Sequence, residues 1–280
     1  MLGPSLMWSS LDEIREVIRQ KRCILVDLDG VVYTGTALLP GVREAIDILR
    51  GANKKVLFLS NNSGKSSLSL ITKLASFGID CKIGDLMSSG RAAAIYLANK
   101  KLDQGRGVFV VGTMELKNEI SGLGVTLSDP EQCGAVVVGL DPDLSYQTIY
   151  RALKALRRGV PLIACNRDAY YPVQGDEILP GCGAIIGAIE GASGRKADIE
   201  IGKPNRYMAD LLLSNAHCTL QDCLLVGDTL SSDIRMANEL GIPSAWLCYP
   251  DVSKCEIERW SWEPTVIVQS LEQIARSMCE

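Results

Sequence analysis

Two carboxylates behind a short apolar run are the residues of this chain best suited to chemistry. Asp27 directly follows the run from Cys23 to Val26, and Asp29 comes two residues later. The run is typical of a strand buried on both faces of a parallel sheet. A strand continued through both aspartates would place two unpaired charges in a core, so we expect it to end at Asp27. Open α/β sheets bind ligands at that edge, where two close carboxylates attract a divalent cation, most naturally Mg²⁺. Alone, the stretch is equally typical of an Asp-Gly turn after a strand.

Further polar groups follow other predicted strands, or lie between a strand and a helix. They are Ser60-Asn61 after the run from Lys55, Gly202-Lys203-Pro204, and Gly227-Asp228 with Asp233. Because the carboxyl ends of parallel strands share one edge of a sheet, these groups can converge on Asp27. Taken singly, Lys203 is typical of a solvated lysine and Asp228 of a helix N-cap. The ordered set of four groups favours a shared site.

Convergence would give this edge a defined chemistry. Asp27 and Asp228 supply metal ligands, Asp233 another through water, and Lys203 a fixed cation. The Ser60 hydroxyl and the Asn61 amide suit the oxygens of an anion. This set fits phosphoryl transfer, where catalysis is mostly positioning and charge neutralisation. Carboxylates are the only obvious water-activating bases, so an aspartyl-phosphate route is the natural one.

The elements that must position these groups alternate between strand and helix, which predicts an α/β fold with a parallel sheet. One of the predicted strands lies near Ile79–Ile83. The loop from Leu102 to Gly107 marks a boundary, and a second α/β unit of about a hundred residues follows it. From Ile199 the first alternation resumes. We therefore predict a core domain of residues 1–103 and 199–280, with an inserted domain of residues 104–198.

Composition excludes several classes of protein. The chain has 280 residues, of which 47% are hydrophobic and 22% charged, as expected of a soluble globular protein. Its net charge of −4 argues against nucleic-acid or acidic-membrane partners. No apolar stretch approaches the roughly 20 residues of a membrane helix. The amino terminus lacks a signal-peptide pattern, so we expect a cytoplasmic protein.

Cysteine and histidine usage narrows the chemistry further. The ten cysteines are scattered and form no Cys-x-x-Cys pair, so we predict reduced structural thiols rather than a zinc or dithiol site. The single histidine, His217, excludes a His-rich binuclear metal centre within the chain. Its position after an apolar helical pattern predicts a surface or helix-end residue. Gly64-Lys65-Ser66 resembles the end of a P-loop, but Leu59 stands where the first glycine belongs.

Together these motifs resemble a known family. The segments Asp27-Leu28-Asp29-Gly30-Val31, Ser60-Asn61-Asn62, Lys203 and Gly227-Asp228-x4-Asp233 are similar to the four motifs of haloacid dehalogenase (HAD) superfamily phosphatases. Cys165–Asp168 and Leu179–Gly183 are similar to subclass IIA, the branch of nitrophenylphosphatases, phosphoglycolate phosphatase and NagD-type nucleotidases. The resemblance runs from Cys23 to Tyr249. It implies a Rossmann-like core with a type 2 α/β cap, a substrate-specificity domain, inserted between the second and third motifs.

The resemblance also implies roles for the acidic residues. Asp27 would be the nucleophile that attacks phosphorus and would also bind Mg²⁺. Asp29 would be the general acid and then the general base, and its backbone carbonyl would bind the metal. Asp228 would be the third protein ligand, with Asp233 orienting a metal-bound water.

The other motif residues would handle the phosphate. The resemblance implies that Ser60 and Asn61 hold the transferring phosphoryl oxygens and that Lys203 neutralises charge on nucleophile and phosphate. One departure is Ser231-Ser232 before Asp233, where relatives usually have a threonine. Serine keeps the hydroxyl, so neither fold nor chemistry is in doubt.

The inserted domain carries the predicted specificity residues. By the resemblance, and because loops carry recognition, we assign Asn166, Arg167 and Asp168 to a substrate-facing loop, against the alternative of a plain turn. Tyr170 and Tyr171 continue this loop as candidates for leaving-group contacts, with core packing as the alternative. Relatives often dimerise through the cap, which implies a homodimer.

The predicted function is a Mg²⁺-dependent phosphomonoesterase for a small phosphorylated metabolite. Phosphoglycolate, glycerol phosphate, sugar phosphates and nucleoside monophosphates all fit, with p-nitrophenyl phosphate as an artificial substrate. A phosphotransferase with a sugar or alcohol acceptor would use the same residues. A non-enzymatic phosphate or nucleotide sensor on this fold is the alternative from another class.

Overall fold

The computed structural model of the protein describes residues 8–103, 105–173, 177–248 and 261–279. Tyr249, where the resemblance ends, and Cys255 lie outside these ranges. The strands of the described residues, in chain order, are β1 (Cys23–Val26), β2 (Tyr33–Thr34), β3 (Ala37–Leu38), β4 (Lys55–Ser60), β5 (Leu86–Ser88), β6 (Val108–Val111), β7 (Ala135–Val138), β8 (Leu162–Ala164), β9 (Tyr170–Pro172), β10 (Ile178–Pro180), β11 (Ile199–Glu200), β12 (Cys223–Gly227), β13 (Ser244–Leu247) and β14 (Val266–Val268).

The α-helices of the same residues alternate with most of these strands. They are α1 (Leu11–Arg19), α2 (Val42–Gly51), α3 (Ser67–Ser76), α4 (Ser89–Lys100), α5 (Met114–Gly122), α6 (Tyr146–Leu156), α7 (Cys182–Ser193), α8 (Tyr207–Ala216), α9 (Arg235–Leu240) and α10 (Leu271–Arg276). None of these helices is long and apolar enough to span a membrane. His217 caps the C-terminus of α8, which confirms its predicted place at a helix end.

The larger sheet, here called the core sheet, has six parallel strands in the order β14-β13-β12-β1-β4-β5. Strand β1 lies between β12 and β4, with Val26 paired to Val226 and to Phe58. All four residues of β1 are buried, as the unbroken apolar run predicts for a strand with two covered faces. Because β1, β4 and β12 are parallel neighbours, the residues that follow them lie at one edge of the sheet.

Two clusters of buried apolar side chains cover the core sheet, one on each face. Cys23 and Leu25 of β1 belong to one cluster, and Ile24 and Val26 to the other. This division follows from the two-residue period of a strand. Each fully buried aliphatic side chain contributes about 1.5–3 kcal/mol by burial, so both faces fix the strand that precedes Asp27.

A second parallel sheet of four strands, in the order β11-β8-β7-β6, has an apolar cluster of its own. Its strands β6, β7 and β8 lie within the predicted inserted domain. Strand β11 lies beyond the predicted boundary at residue 198, yet Ile199 pairs with Ile163 of β8 in this sheet. A parallel α/β architecture is confirmed, while the division into domains stays a prediction.

Three expectations from the sequence are corrected. The predicted strand near Ile79–Ile83 is absent from the described residues. A 3₁₀ turn at Ile83–Asp85 and strand β5 follow instead, because Ile83 is exposed whereas all of β5 is buried against β4. The sequence pattern also predicts a helix over Ser232–Leu240; the structure begins it two residues earlier, as a π-helical turn at Leu230–Ile234 that α9 continues.

The third correction concerns the cysteines. Cys23 and Cys218 form a disulfide, so the prediction of reduced thiols is wrong for this pair. The two residues are 195 positions apart in sequence, and only the tertiary fold brings them together. The positions of these two cysteines in the sequence do not indicate that they form a disulfide.

Candidate active site

Lys203 lies at the centre of a buried cluster of charges at the edge of the core sheet. Its Nζ is 2.7 Å from Oδ1 of Asp27 and 2.7 Å from Oδ1 of Asp233. One carboxylate oxygen from each of Asp27, Asp228 and Asp233 lies within 4.8 Å of the others. Four residues from three distant segments are thus brought together. We call this group the Lys203 cluster.

The backbone after β1 explains how Asp27 reaches this place. Its N–H donates to the carbonyl of Val226 at 2.9 Å, which continues the sheet by one residue. The chain then turns at Gly30, whose φ is +81°. A Cβ at Gly30 would lie 2.0 Å from Oδ2 of Asp228, so only glycine lets the loop approach that carboxylate.

The segment after β12 orients the other two aspartates. The Thr229 hydroxyl donates to Oδ1 of Asp228 at 3.0 Å, and the Thr229 N–H donates to Oδ2 of Asp233 at 3.2 Å. The Trp246 indole N–H donates to the Asp228 carbonyl at 2.8 Å. The π-helical turn supplies the backbone path that returns Asp233 towards β12.

Acidic groups outnumber basic groups in the Lys203 cluster, where three carboxyl groups surround one ammonium group. Burial raises the pKa of Asp27 well above its ordinary value; Lys203 opposes this, and Asp233 and Asp228 add to it. Burial and the Asp233 carboxylate raise the pKa of Asp228 to about 7. Burial alone would lower the pKa of Lys203, but Asp233 and Asp27 outweigh it and raise that pKa. The cluster therefore contains more acidic than basic groups, and their mutual repulsion raises the pKa values of Asp27 and Asp228.

Asp29 lies beside this cluster in a different setting. Burial raises its pKa, while Lys73, Lys203 and a hydrogen bond from Asn62 act in the opposite direction. The Nζ of Lys73 is 3.2 Å from the ring centroid of Tyr33. Among the described residues, the buried Tyr33 hydroxyl has no hydrogen-bond partner.

Lys73 and Tyr33 are absent from the sequence-based candidates. Tyr33 follows the first motif by only three residues, so its position carried some signal. The sequence gives no indication that Lys73 belongs to the site, because a lone lysine on a helix is normally solvated.

The second motif lies at the end of β4. Ser60 is buried, and its Oγ accepts a hydrogen bond from the Asn62 N–H at 3.1 Å. The side chain of Asn61 is bonded to other segments: its Oδ1 accepts from the Lys203 N–H at 2.7 Å, and its Nδ2 donates to Asp168 at 2.9 Å. The amide of Asn61 is thus engaged with protein groups.

Of the residues in the predicted specificity loop, Asn166 and Asp168 contact Asn61 of the site, whereas Arg167 forms ion pairs elsewhere. Asn166 is buried and donates to the Asn61 carbonyl at 2.7 Å. Arg167 pairs with Glu190 and Glu200. Asp168 lies against Asn61, and burial raises its pKa to about 6.

The two tyrosines lie on β9, in an antiparallel hairpin with β10. Tyr170 is 53% exposed and Tyr171 is half-buried. Tyr170 therefore lies outside the apolar core. Contacts between these cap residues and a substrate stay predictions.

Comparison with known proteins identifies the architecture. Two family models match the chain, haloacid dehalogenase-like hydrolase over residues 24–126 and HAD-hydrolase-like over residues 200–274. The sugar-phosphatase AraL of Bacillus subtilis is 31% identical over 254 residues, covering 90% of this chain and 92% of that protein. The chain belongs to the haloacid dehalogenase-like hydrolase family.

Solved HAD structures agree over nearly the whole chain. The p-nitrophenyl phosphatase of Archaeoglobus fulgidus has a TM-score of 0.85 at 27% identity, covering 92% of this chain and 99% of that chain. The glycerol phosphate phosphatase of Mycobacterium tuberculosis, solved in complex with magnesium, has a TM-score of 0.80 at 27% identity, covering 92% and 77%. The predicted HAD phosphatase of subclass IIA, with a Rossmann-like core and an α/β cap, is confirmed.

The donor set of this HAD protein fits a hard divalent cation. Asp27, Asp228 and Asp233 offer only carboxylate oxygens, and their oxygens lie close enough to share one ion. One ammonium against three carboxylates leaves charge for a divalent cation to balance. The residues present therefore suit Mg²⁺ better than a soft metal, which prefers sulfur or imidazole.

Proposed function

We propose that this HAD phosphatase is a Mg²⁺-dependent phosphomonoesterase that acts on a small phosphorylated metabolite through an aspartyl-phosphate at Asp27. The observation that carries the proposal is the Lys203 cluster, in which a buried ammonium group lies 2.7 Å from the Asp27 carboxylate among further acidic groups. A nucleophile that must approach an anionic phosphate needs this kind of charge neutralisation.

In the first step, a carboxylate oxygen of Asp27 attacks phosphorus and the ester P–O bond breaks. The leaving alkoxide takes a proton from the Asp29 carboxyl group. Burial raises the pKa of Asp29, which is the direction that a general acid needs, although Lys73 and Lys203 act against it.

In the second step, water attacks the phosphorus of the Asp27 phosphoester. Asp29, now ionised, accepts a proton from that water. The bond between phosphorus and the Asp27 oxygen breaks, so inorganic phosphate leaves and the Asp27 carboxylate is restored. The proposed contacts of the phosphoryl oxygens are Ser60, Lys203 and the main-chain N–H of Asn61, because the side-chain amide of Asn61 is bonded to Lys203 and Asp168.

Asp27, Asp228 and the backbone carbonyl of Asp29 would hold Mg²⁺, with Asp233 acting through water. When bound, the ion adds positive charge beside the transferring phosphoryl group. The same glycerol phosphate phosphatase of Mycobacterium tuberculosis has been solved with magnesium and with calcium, which supports a divalent ion here.

The proposed substrates are small phosphomonoesters, such as sugar phosphates or glycerol phosphate. The names of the relatives support this class: sugar phosphatase, nitrophenyl phosphatase and glycerol phosphate phosphatase. Selection would depend on the cap loop of Asn166–Asp168 and on Tyr170 and Tyr171. A homodimer through the cap and a cytoplasmic location stay predictions.

The test is phosphate release from a panel of phosphomonoesters, including p-nitrophenyl phosphate, with Mg²⁺ or with EDTA. We expect release with Mg²⁺, little with EDTA, and loss of the Mg²⁺ response in Asp228→Ala. The exposed Asp12→Asn removes a carboxylate elsewhere and serves as the control. No release from any ester would overturn the proposal, and transfer to an added alcohol without release would make the protein a phosphotransferase.

A further inference from the structure

The side-chain amide of Asn61 joins three segments that are far apart in sequence. Its Oδ1 accepts from the Lys203 N–H at 2.7 Å, and its Nδ2 donates to the Lys203 carbonyl at 3.2 Å. The same Nδ2 donates to Oδ1 of Asp168 at 2.9 Å. The main-chain N–H and C=O of Lys203 are thus both bonded to the Asn61 amide. The Nδ2 of that amide is also bonded to Asp168 of the cap loop.

Asp168 determines which way the Asn61 amide points. An ionised carboxylate only accepts hydrogen bonds, so it selects the NH₂ end of the amide and leaves the oxygen for the Lys203 N–H. With the amide reversed, two oxygens would face each other and two donors would meet at Lys203. Asp168 therefore stabilises the orientation that holds the Lys203 backbone.

The packing around this contact leaves little room for movement. A Cβ at Gly202 would lie 2.6 Å from Oδ1 of Asn61 and 2.7 Å from the Cys165 carbonyl. The Gly202 N–H donates to that carbonyl at 2.8 Å. A displacement of the cap loop would consequently be transmitted to the chain that carries Lys203.

We propose that Asp168 is a positioning residue, which fixes Lys203 through Asn61 and makes the placement of the lysine depend on the cap. The inference rests on the proposed function, since the Lys203 ammonium group is what neutralises Asp27. It replaces the expectation that Asp168 contacts the substrate. Loss of a substrate contact would lower the rate for one leaving group more than for another. Loss of a positioning residue would lower the rate by the same factor for all substrates.

The test is a double-mutant cycle of Asp168→Ala and Asn61→Ala, read with p-nitrophenyl phosphate and glycerol phosphate. Asp168→Ala lowers kcat about 10- to 100-fold, by the same factor for both esters and with little change in KM. Asp168→Asn keeps an acceptor oxygen and stays near the wild-type rate. In the Asn61→Ala background, Asp168→Ala causes no further loss, because the partner through which it acts is gone.

A second readout needs no turnover. Hydrogen exchange at the Lys203 amide should be faster in Asp168→Ala than in the wild type, because its acceptor is no longer oriented. Asp129→Ala, which removes an exposed aspartate of the cap paired with Arg151, is the matched control and leaves that exchange unchanged. Asp168→Leu replaces the alanine variant if the latter does not fold.

Several results would overturn the inference. They are a loss that differs between the two esters, an equal loss in the Asn61→Ala background, or unchanged Lys203 exchange. Absence of turnover in the wild type would instead refute the phosphatase proposal and leave the exchange experiment to decide this one.

Discussion

Two groups of charges in this molecule, one around the buried Lys203 and one around the buried Glu190, differ in the numbers of acidic and basic side chains. In the Lys203 cluster, three carboxylates share one ammonium group. In the cap, two carboxylates face two cations. The buried Glu190 is 2.6 Å from Arg167 and 2.9 Å from Lys196, and Arg167 also pairs with Glu200. Glu190 also accepts from the Ala197 N–H at 2.8 Å. We call this second group the Glu190 cluster.

The pKa shifts of the two clusters run in opposite directions. Burial and neighbouring carboxylates raise the pKa of Asp228 to about 7. The hydrogen bond from Arg167 lowers the pKa of Glu190 to about 2. Surplus charge prepares a site to bind a cation and to change protonation state, whereas matched charge stabilises the fold. The comparison supports the Lys203 cluster as the proposed active site.

Replacing the lysine of the Lys203 cluster should have the largest effect. Lys203→Met removes the only ammonium group there and lowers kcat for p-nitrophenyl phosphate about 10²- to 10³-fold. It also leaves Asp27 and Asp233 buried without a counter-charge, which costs up to about 3–5 kcal/mol in the free energy of unfolding. Steady-state kinetics and urea unfolding in EDTA measure the two effects.

The matched variant is Lys196→Met in the Glu190 cluster. Lys196 is 84% exposed, and Glu190 keeps Arg167, so the cost is at most about 1 kcal/mol. Equal losses from the two lysine variants would remove the distinction between the clusters.

Glu190→Gln is expected to have an intermediate effect, on stability alone. It removes the buried charge that holds Arg167 but keeps one acceptor oxygen, and so costs about 1–3 kcal/mol in the free energy of unfolding. Turnover of p-nitrophenyl phosphate stays at the wild-type level, because Glu200 still pairs with Arg167 and keeps the cap loop in place. A fall in kcat with unchanged stability would contradict a structural role for Glu190.

The stability difference between the wild type and Glu190→Gln should also depend on pH. The pKa of Glu190 falls from 4.5 to about 2 on folding, so the folded state holds fewer protons on this group in that range. The stabilisation is therefore complete above pH 4.5 and is lost as the pH falls towards 2. Urea unfolding of both proteins between pH 7 and 3.5 measures this dependence, and a constant difference would refute it.

Much of the site was predictable because it follows from strand ends. The apolar run of β1 has the predicted bounds, and parallel pairing brings Asp27 and Asp228 to one edge. These features depend on local pattern and on a general rule of sheet topology. The positions of Lys203 and Asp233 followed from the same rule together with the motif order.

Other features depend on contacts that no local pattern encodes. The sequence does not reveal that Arg167 is engaged by Glu190 and Glu200, or that the Asn61 amide holds the Lys203 backbone. The hairpin of β9 and β10 was missed because its strands are short, and β10 is exposed without alternation. Each of these results from tertiary packing between distant segments.

The most direct test of the account is to identify the phosphorylated residue during turnover. The protein is mixed with p-nitrophenyl phosphate and Mg²⁺, quenched in acid, digested at low pH and examined by mass spectrometry. Asp29→Asn is included because slower hydrolysis should make the intermediate accumulate. We predict a phosphoryl group on Asp27, with neither phosphorylation nor turnover in Asp27→Asn. A phosphoryl group on another residue, or normal turnover by Asp27→Asn, would contradict the account.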